Sequence, residues 1–151
     1  EKNSEEKNLQ NHLELYNSKS NKIDGKPDSF CFIATYNAIN ECKGMLISLS
    51  LHHPNSIIYG YVDKKSYHSI KTMTPSLLLD LKLEIKLEKY SNKDRIQMEN
   101  DNTWAYFQME KANVITFALN YFSNTLFLDC DIIFLNPINC IDKSKDTIVF
   151  F

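Results

Sequence analysis

Large apolar residues fall into two alternating textures from Phe30 onward. Four short runs have the length and composition of strands: "FCFIA" (Phe30–Ala34), "IIYGYV" (Ile57–Val62), "LKLEIKLE" (Leu81–Glu88) and "TLFLDC" (Thr125–Cys130). Helical periodicities lie between them. Cys42, Met45, Leu46, Leu49 and His53 share one face up to Pro54, and Trp104, Phe107, Lys111, Ile115, Ala118 and Phe122 share another. Lys64 to Asp80 is less periodic, and Pro75 breaks it. Residues 1–28 carry only Leu9, Leu13, Leu15, Tyr16 and Ile23 as large apolar residues. Their stretch "YNSKSNKIDGKPDS" has turn composition, so a polar linker or flexible lead is expected there, with at most a short marginal helix.

Strands alternating with helices imply βαβ units, hence an α/β domain over 29–151 with a mainly parallel sheet and helices on both faces. In the third run Leu83, Ile85 and Leu87 alternate with Glu84, Lys86 and Glu88, which predicts an edge strand with one wet face. The first and fourth runs are expected inside the sheet. Ligands of such sheets bind beyond the carboxyl ends of the strands. Attention therefore falls on "TYNAIN" after the first run and "DCDIIFLNP" after the fourth.

Composition narrows the function. At 151 residues, 43% hydrophobic and 24% charged, the chain is one domain or a large part of one. A net charge of -2 argues against general affinity for nucleic acid or membrane surfaces, and no apolar run approaches the roughly 18 residues that span a bilayer. Cys31, Cys42, Cys130 and Cys140 lack CxxC spacing, so buried free thiols are expected rather than a disulfide framework or zinc site. The chain begins at Glu1 with no basic-then-apolar leader, which reads as a processing boundary. No Asn-x-Ser/Thr sequon occurs among 16 asparagines, which favours a cytoplasmic setting; the Golgi or ER lumen stays open if an upstream anchor was removed.

The chemistry concentrates in "TLFLDCDIIFLNPI", Thr125 to Ile138. Seven aliphatic or aromatic residues and a cysteine between Leu126 and Leu135 resemble a strand buried on both faces, yet Asp129 and Asp131 interrupt it. An unpaired carboxylate taken out of water costs several kcal/mol, so these acids need a partner or an exit to solvent. On a regular strand they would point to the same face and repel. Mg²⁺ or Mn²⁺ would relieve that repulsion, because such hard cations prefer carboxylate oxygen and fill their remaining positions with water and phosphate oxygens. An ordinary solvated acid pair at a strand end is the simpler alternative. Lys111 is the second clue: it stands in the middle of an apolar stripe, either snorkelling to water or aimed at the acids and at a donor phosphate.

These residues carry a resemblance. "TWAYFQMEKANVITFALNYFSNTLFLDCDIIFLNPI", with "SFCFIATYN" and "MLISLSLHHPNSIIYGYVD" upstream, resembles the N-terminal half of a GT-A-type nucleotide-diphospho-sugar transferase, the superfamily that includes glycogenin-like enzymes. The resemblance implies a Rossmann-like GT-A fold, incomplete where the chain stops in "TIVFF", and transfer of a sugar from a nucleotide-diphosphate donor. It implies that Asp129 and Asp131 hold Mn²⁺ or Mg²⁺ against the diphosphate of a UDP- or GDP-sugar. It also implies that Asp129 holds the ribose or a metal-bound water, that Lys111 shares the diphosphate charge, and that Thr35, Tyr36 and Asn37 lie near the nucleotide base. The acceptor, glycan, protein or lipid, is not specified.

The family's later half, with a further metal ligand that is often histidine, has no counterpart here, and sequence order excludes His12, His52, His53 and His68 from that role. His52 and His53 precede Pro54 at a helix end, where the dipole favours them. Two other classes fit part of the pattern. One is a truncated, non-catalytic module that binds a nucleotide or partner. The other is a haloacid-dehalogenase-like phosphatase, whose Asp-x-Asp wants a small hydroxyl residue where this chain has Ile133.

Overall fold

The structure is a computed structural model that describes residues 26–138. The expected polar lead over 1–28 and the run "TIVFF" therefore lie almost wholly outside the described residues. Asp28–Pro137 forms one compact unit.

Among the described residues, four strands, β1 (Phe30–Ala34), β2 (Ser56–Val62), β3 (Leu79–Ile85) and β4 (Leu126–Phe127), form a parallel sheet in the order β3-β2-β1-β4. Four α-helices connect them: α1 (Ile39–His52), α2 (Lys64–Met73), α3 (Arg95–Asn100) and α4 (Trp104–Leu119). The class is α/β with every strand pairing parallel.

Both faces of β1 are covered, which is why its five residues are all buried and why its limits coincide with the apolar run. On one face Cys31 and Ile33 join Tyr59 and Tyr61 of β2 under Val114 and Ala118 of α4, with Leu87, Tyr90 and Met98 completing the cluster. On the other face Phe30 meets the His53 ring at the end of α1, with centroids 5.3 Å apart, and the ring of Phe134 at 6.2 Å. Helices thus cover both faces. His53 is buried at the C-cap of α1, between the Phe30 and Phe134 rings, while His52 occupies the last turn.

Local chemistry sets the ends of the elements. Asp63 caps α2, Asp94 and Gln97 form a reciprocal capping box on α3, and a 3₁₀ turn containing Pro75 follows α2. Asparagine occupies three left-handed positions, Asn55, Asn92 and Asn102.

Two expectations about the sheet meet a different arrangement among the described residues. There the fourth run, expected inside the sheet, has a neighbour on one side only: β2 and β1 are interior, and β4 flanks β1. The third run is an edge as expected, with Asp80, Lys82, Glu84 and Lys86 forming ion pairs along its wet side. However, β3 begins at Leu79 and ends at Ile85, so Leu87 does not continue its alternation. The N–H groups of Lys86 and Leu87 both donate to Val62 O, at 3.0 and 3.1 Å. The chain leaves the ladder there, and Leu87 swings into the cluster under α4.

Candidate functional site

The strand order creates a switch point. From β1 the chain winds outward through β2 and β3, then returns across the sheet to place β4 on the other side of β1. The loops after β1 and β4 therefore flank the position where sheets of this type hold ligands. They carry Thr35, Tyr36 and Asn37 on one side and Asp129 and Asp131 on the other.

The acid-bearing loop follows from how β4 ends. Along its edge, β1 offers the carbonyls of Ser29, Cys31 and Ile33. Leu126 N–H donates to the first at 3.0 Å and Leu128 N–H to the second at 2.8 Å. A continuing strand would bring Cys130 N–H to the third. Instead the Cys130 thiol donates to Ile33 O, with Sγ at 3.0 Å, while Ile132 N–H donates to Asp129 O at 3.2 Å and closes a turn. Asp129 and Asp131 consequently sit in this turn, not side by side on a strand, and both are exposed. The downstream run is not buried on both faces either: Ile133 is 54% and Leu135 79% exposed. Only Phe134 turns inward, held by its ring contacts and by its N–H donating to Ser48 Oγ of α1 at 3.0 Å.

Lys111 reaches this turn. Its ammonium lies 3.0 Å from Asp129 Oδ1 and 5.5 Å from the centre of the Phe127 ring. On the same helix Trp104, Phe107 and Ile115 pack on the core, as does Phe122 just beyond it, while Ala118 and Val114 are fully buried. Asp131 makes no hydrogen bond or ion pair among the described residues. At most about 1 kcal/mol of stability comes from an ion pair whose side chains are 31% and 52% exposed, so stability alone gives little reason to keep a lysine in this stripe.

Across the switch point, Ala38 N–H donates to Thr35 O at 3.0 Å, which curls the loop after β1 into a 3₁₀ turn, Tyr36–Ala38. Thr35 is buried and Asn37 exposed. The ammonium of Lys65 stands over the Tyr36 ring at 4.0 Å.

Sequence reasoning missed Asp63, the residue that fixes this loop. Its side chain is fully buried. It accepts from Ser66 N–H at 2.9 Å on one oxygen, and from Ser91 Oγ at 2.8 Å and Tyr36 N–H at 3.2 Å on the other. Burial pushes the carboxyl up, but the bonds from Ser66, Ser91 and Tyr36 outweigh it and hold its pKa below the ordinary value. The available signal was an acid directly after an apolar strand with Ser three residues later, the pattern of a helix cap.

The donor set suits a hard divalent cation that keeps waters and substrate oxygens, since two exposed carboxylates sit in one turn. Among the described residues no three His, Cys, Asp or Glu side chains converge as a closed metal cage. No described helix is long and apolar enough to cross a membrane. The chain matches no protein-family model, no curated protein and no solved structure.

Proposed function

We propose that the chain binds a nucleotide-diphosphate sugar and works as a metal-dependent glycosyltransferase of the glycogenin-like GT-A type. One observation carries the reading: at the switch point of a parallel sheet, a lysine drawn from an apolar helix face meets the first acid of an Asp-x-Asp turn at 3.0 Å. Asp129 and Asp131 would hold Mn²⁺ or Mg²⁺. The bound cation supplies Lewis-acid stabilisation to the leaving nucleoside diphosphate. Lys111 leaves Asp129 for a diphosphate oxygen and shares that charge. The Tyr36 ring, with Lys65 against it, and Asn37 border the base side.

Thermal melting with UDP, GDP and their sugars, each with and without Mn²⁺, tests the reading. A ligand at a hundred times its Kd adds about 2.7 kcal/mol, which is several degrees at about 2–4 °C per kcal/mol. The shift is expected only with metal, and Asp131→Asn should abolish it while leaving the apo melting point equal or higher. Equal shifts after EDTA would overturn the metal bridge. Phosphate release from a generic ester would favour a phosphatase, and a metal-dependent shift without sugar transfer a binding module.

Lys111→Met separates site from scaffold. Stability should stay within about 1 kcal/mol of wild type, because the exposed ion pair contributes no more than that and methionine keeps the stem's packing. Donor affinity, titrated with Mn²⁺ present, should fall about tenfold or more, the loss of a charged hydrogen bond. Unchanged affinity would remove Lys111 from the site.

A further inference from the structure

Helix α4 lacks charge on its outer side as well as its inner one. Toward the sheet, Val114 and Ala118 are fully buried in the core with Tyr59 and Tyr61. Its exposed residues are Ala105, Tyr106, Met109, Ala112, Asn113, Thr116 and Leu119, none of them charged in a chain where 24% of residues are. The exposed positions of α2 show the ordinary pattern, with Lys64, Lys65 and Lys71 among them. The two charges of α4, Glu110 and Lys111, are only half-exposed, and Lys111 is engaged with Asp129. A surface helix normally turns its charges outward, whereas one that is apolar all round is covered all round.

The outer face is also prepared for burial. Ala105, Met109, Ala112, Thr116 and Leu119 recur at alternating steps of four and three residues, the spacing of a seam between two packed helices. Its polar groups already have partners within the helix: Thr116 Oγ1 donates to Ala112 O at 2.9 Å and Asn113 Nδ2 to Glu110 Oε2 at 3.0 Å. Water can leave without orphaning those donors.

We propose that this face is the contact between two copies of the chain, their α4 helices packed antiparallel about a two-fold axis. Such a contact sets each group near its centre against its own kind, so charges there would repel, and this seam has none. With the axis midway between Met109 and Ala112, Met109 lies against Ala112 of the other copy and Ala105 against Thr116. Each larger side chain then meets a smaller one, and the helices approach closely. The opposed macrodipoles favour the same direction. An anionic lipid surface or a nucleic acid would require lysine or arginine on this face, which it lacks. At 1.5 Å per residue the helix is about 24 Å long, so the seam is small and the dimer forms in a concentration-dependent way. Lys111 and the acid turn are not part of the seam, so the contact stands or falls apart from the transferase reading.

Sedimentation velocity of the full chain, diluted from about 1 mM to about 1 μM, tests the contact. The mass is expected to rise from one chain to two with concentration. Ala112→Glu and Met109→Lys, both at exposed positions, should keep the wild-type circular dichroism and raise the dimer dissociation constant about tenfold or more, because each places an unpaired charge in the seam. Mixed in equal amounts, the two variants should dimerise again, since the acid introduced in one faces the lysine introduced in the other. Lys71→Glu on α2 should change nothing. A single-chain mass at every concentration, a dimer that both variants leave intact, or variants that stay monomeric when mixed would each overturn the proposal.

Discussion

Asp63→Ala is expected to lower folding stability by about 3 kcal/mol, or about 6–12 °C in melting temperature. The buried carboxylate collects three donors from three parts of the chain, namely Tyr36 N–H, Ser66 N–H and Ser91 Oγ. Losing the helix cap costs about 1 kcal/mol, and leaving donors unmatched in a buried place costs about 1–3 kcal/mol more. Asp63→Asn should fall between, because its amide nitrogen must face one of those donors. The sign of the pH dependence follows from the lowered pKa. Below the ordinary value of 3.8 the unfolded chain takes up the proton before the folded one. Asp63 therefore contributes its stability above that value and loses it as pH falls through the lower, folded value. Urea midpoints at pH 7 and pH 3 should show the gap between wild type and Asp63→Asn narrowing in acid. A cost below about 1 kcal/mol for Asp63→Ala at neutral pH would mean that water serves the three donors equally well.

Gly60→Ala should destabilise by about 1–3 kcal/mol, although replacing glycine within a strand ordinarily helps by about 0.5–1 kcal/mol. Register aligns Phe32, Gly60 and Leu83 in one row across β1, β2 and β3. A Cβ at Gly60 would lie 2.5 Å from the Phe32 ring and 2.8 Å from Leu83 Cδ2. Phe32 is fully buried, so its ring has nowhere to go. Phe32→Leu removes the ring atoms that collide. The double variant should be more stable than the sum of the two single losses predicts, and denaturant midpoints of the four proteins give that coupling directly. A stabilising Gly60→Ala would show that the ring can shift.

What the sequence revealed depended on how local each cause was. β1 was legible to the residue because continuous burial writes itself as a continuous apolar run. The Asp-x-Asp motif and Lys111 stood out as candidates because charges stood where apolar residues belonged, but the turn that holds the acids was not foreseen. The length of β4 was not legible, since a strand's extent depends on its partner: β1 supplies carbonyls only as far as Ile33, and a cysteine thiol takes the last of them. The inward turn of Leu87 was hidden for a similar reason, because a bifurcated bond to Val62 O breaks the alternation that the sequence displays. Asp63 reads as a helix cap, but its bonds to Tyr36 and Ser91 span 27 and 28 residues, and nothing local announces them.

The shortness of β4 has a consequence in time. β1, β2 and β3 are joined through single helices, whereas the bonds that dock the β4 region on β1 bridge 95 to 97 residues. Only two residues of β4 pair with β1. Closing so long a loop for so few bonds gives little return early in folding, so the three-strand sheet is expected to assemble first and the acid turn to dock late. The same order reversed makes this turn the first part to come away. Each such opening bares the Phe30–Cys31 edge of β1, an apolar strand with free backbone donors and acceptors. In this chain the element that completes the candidate site is also the guard against strand-to-strand self-association.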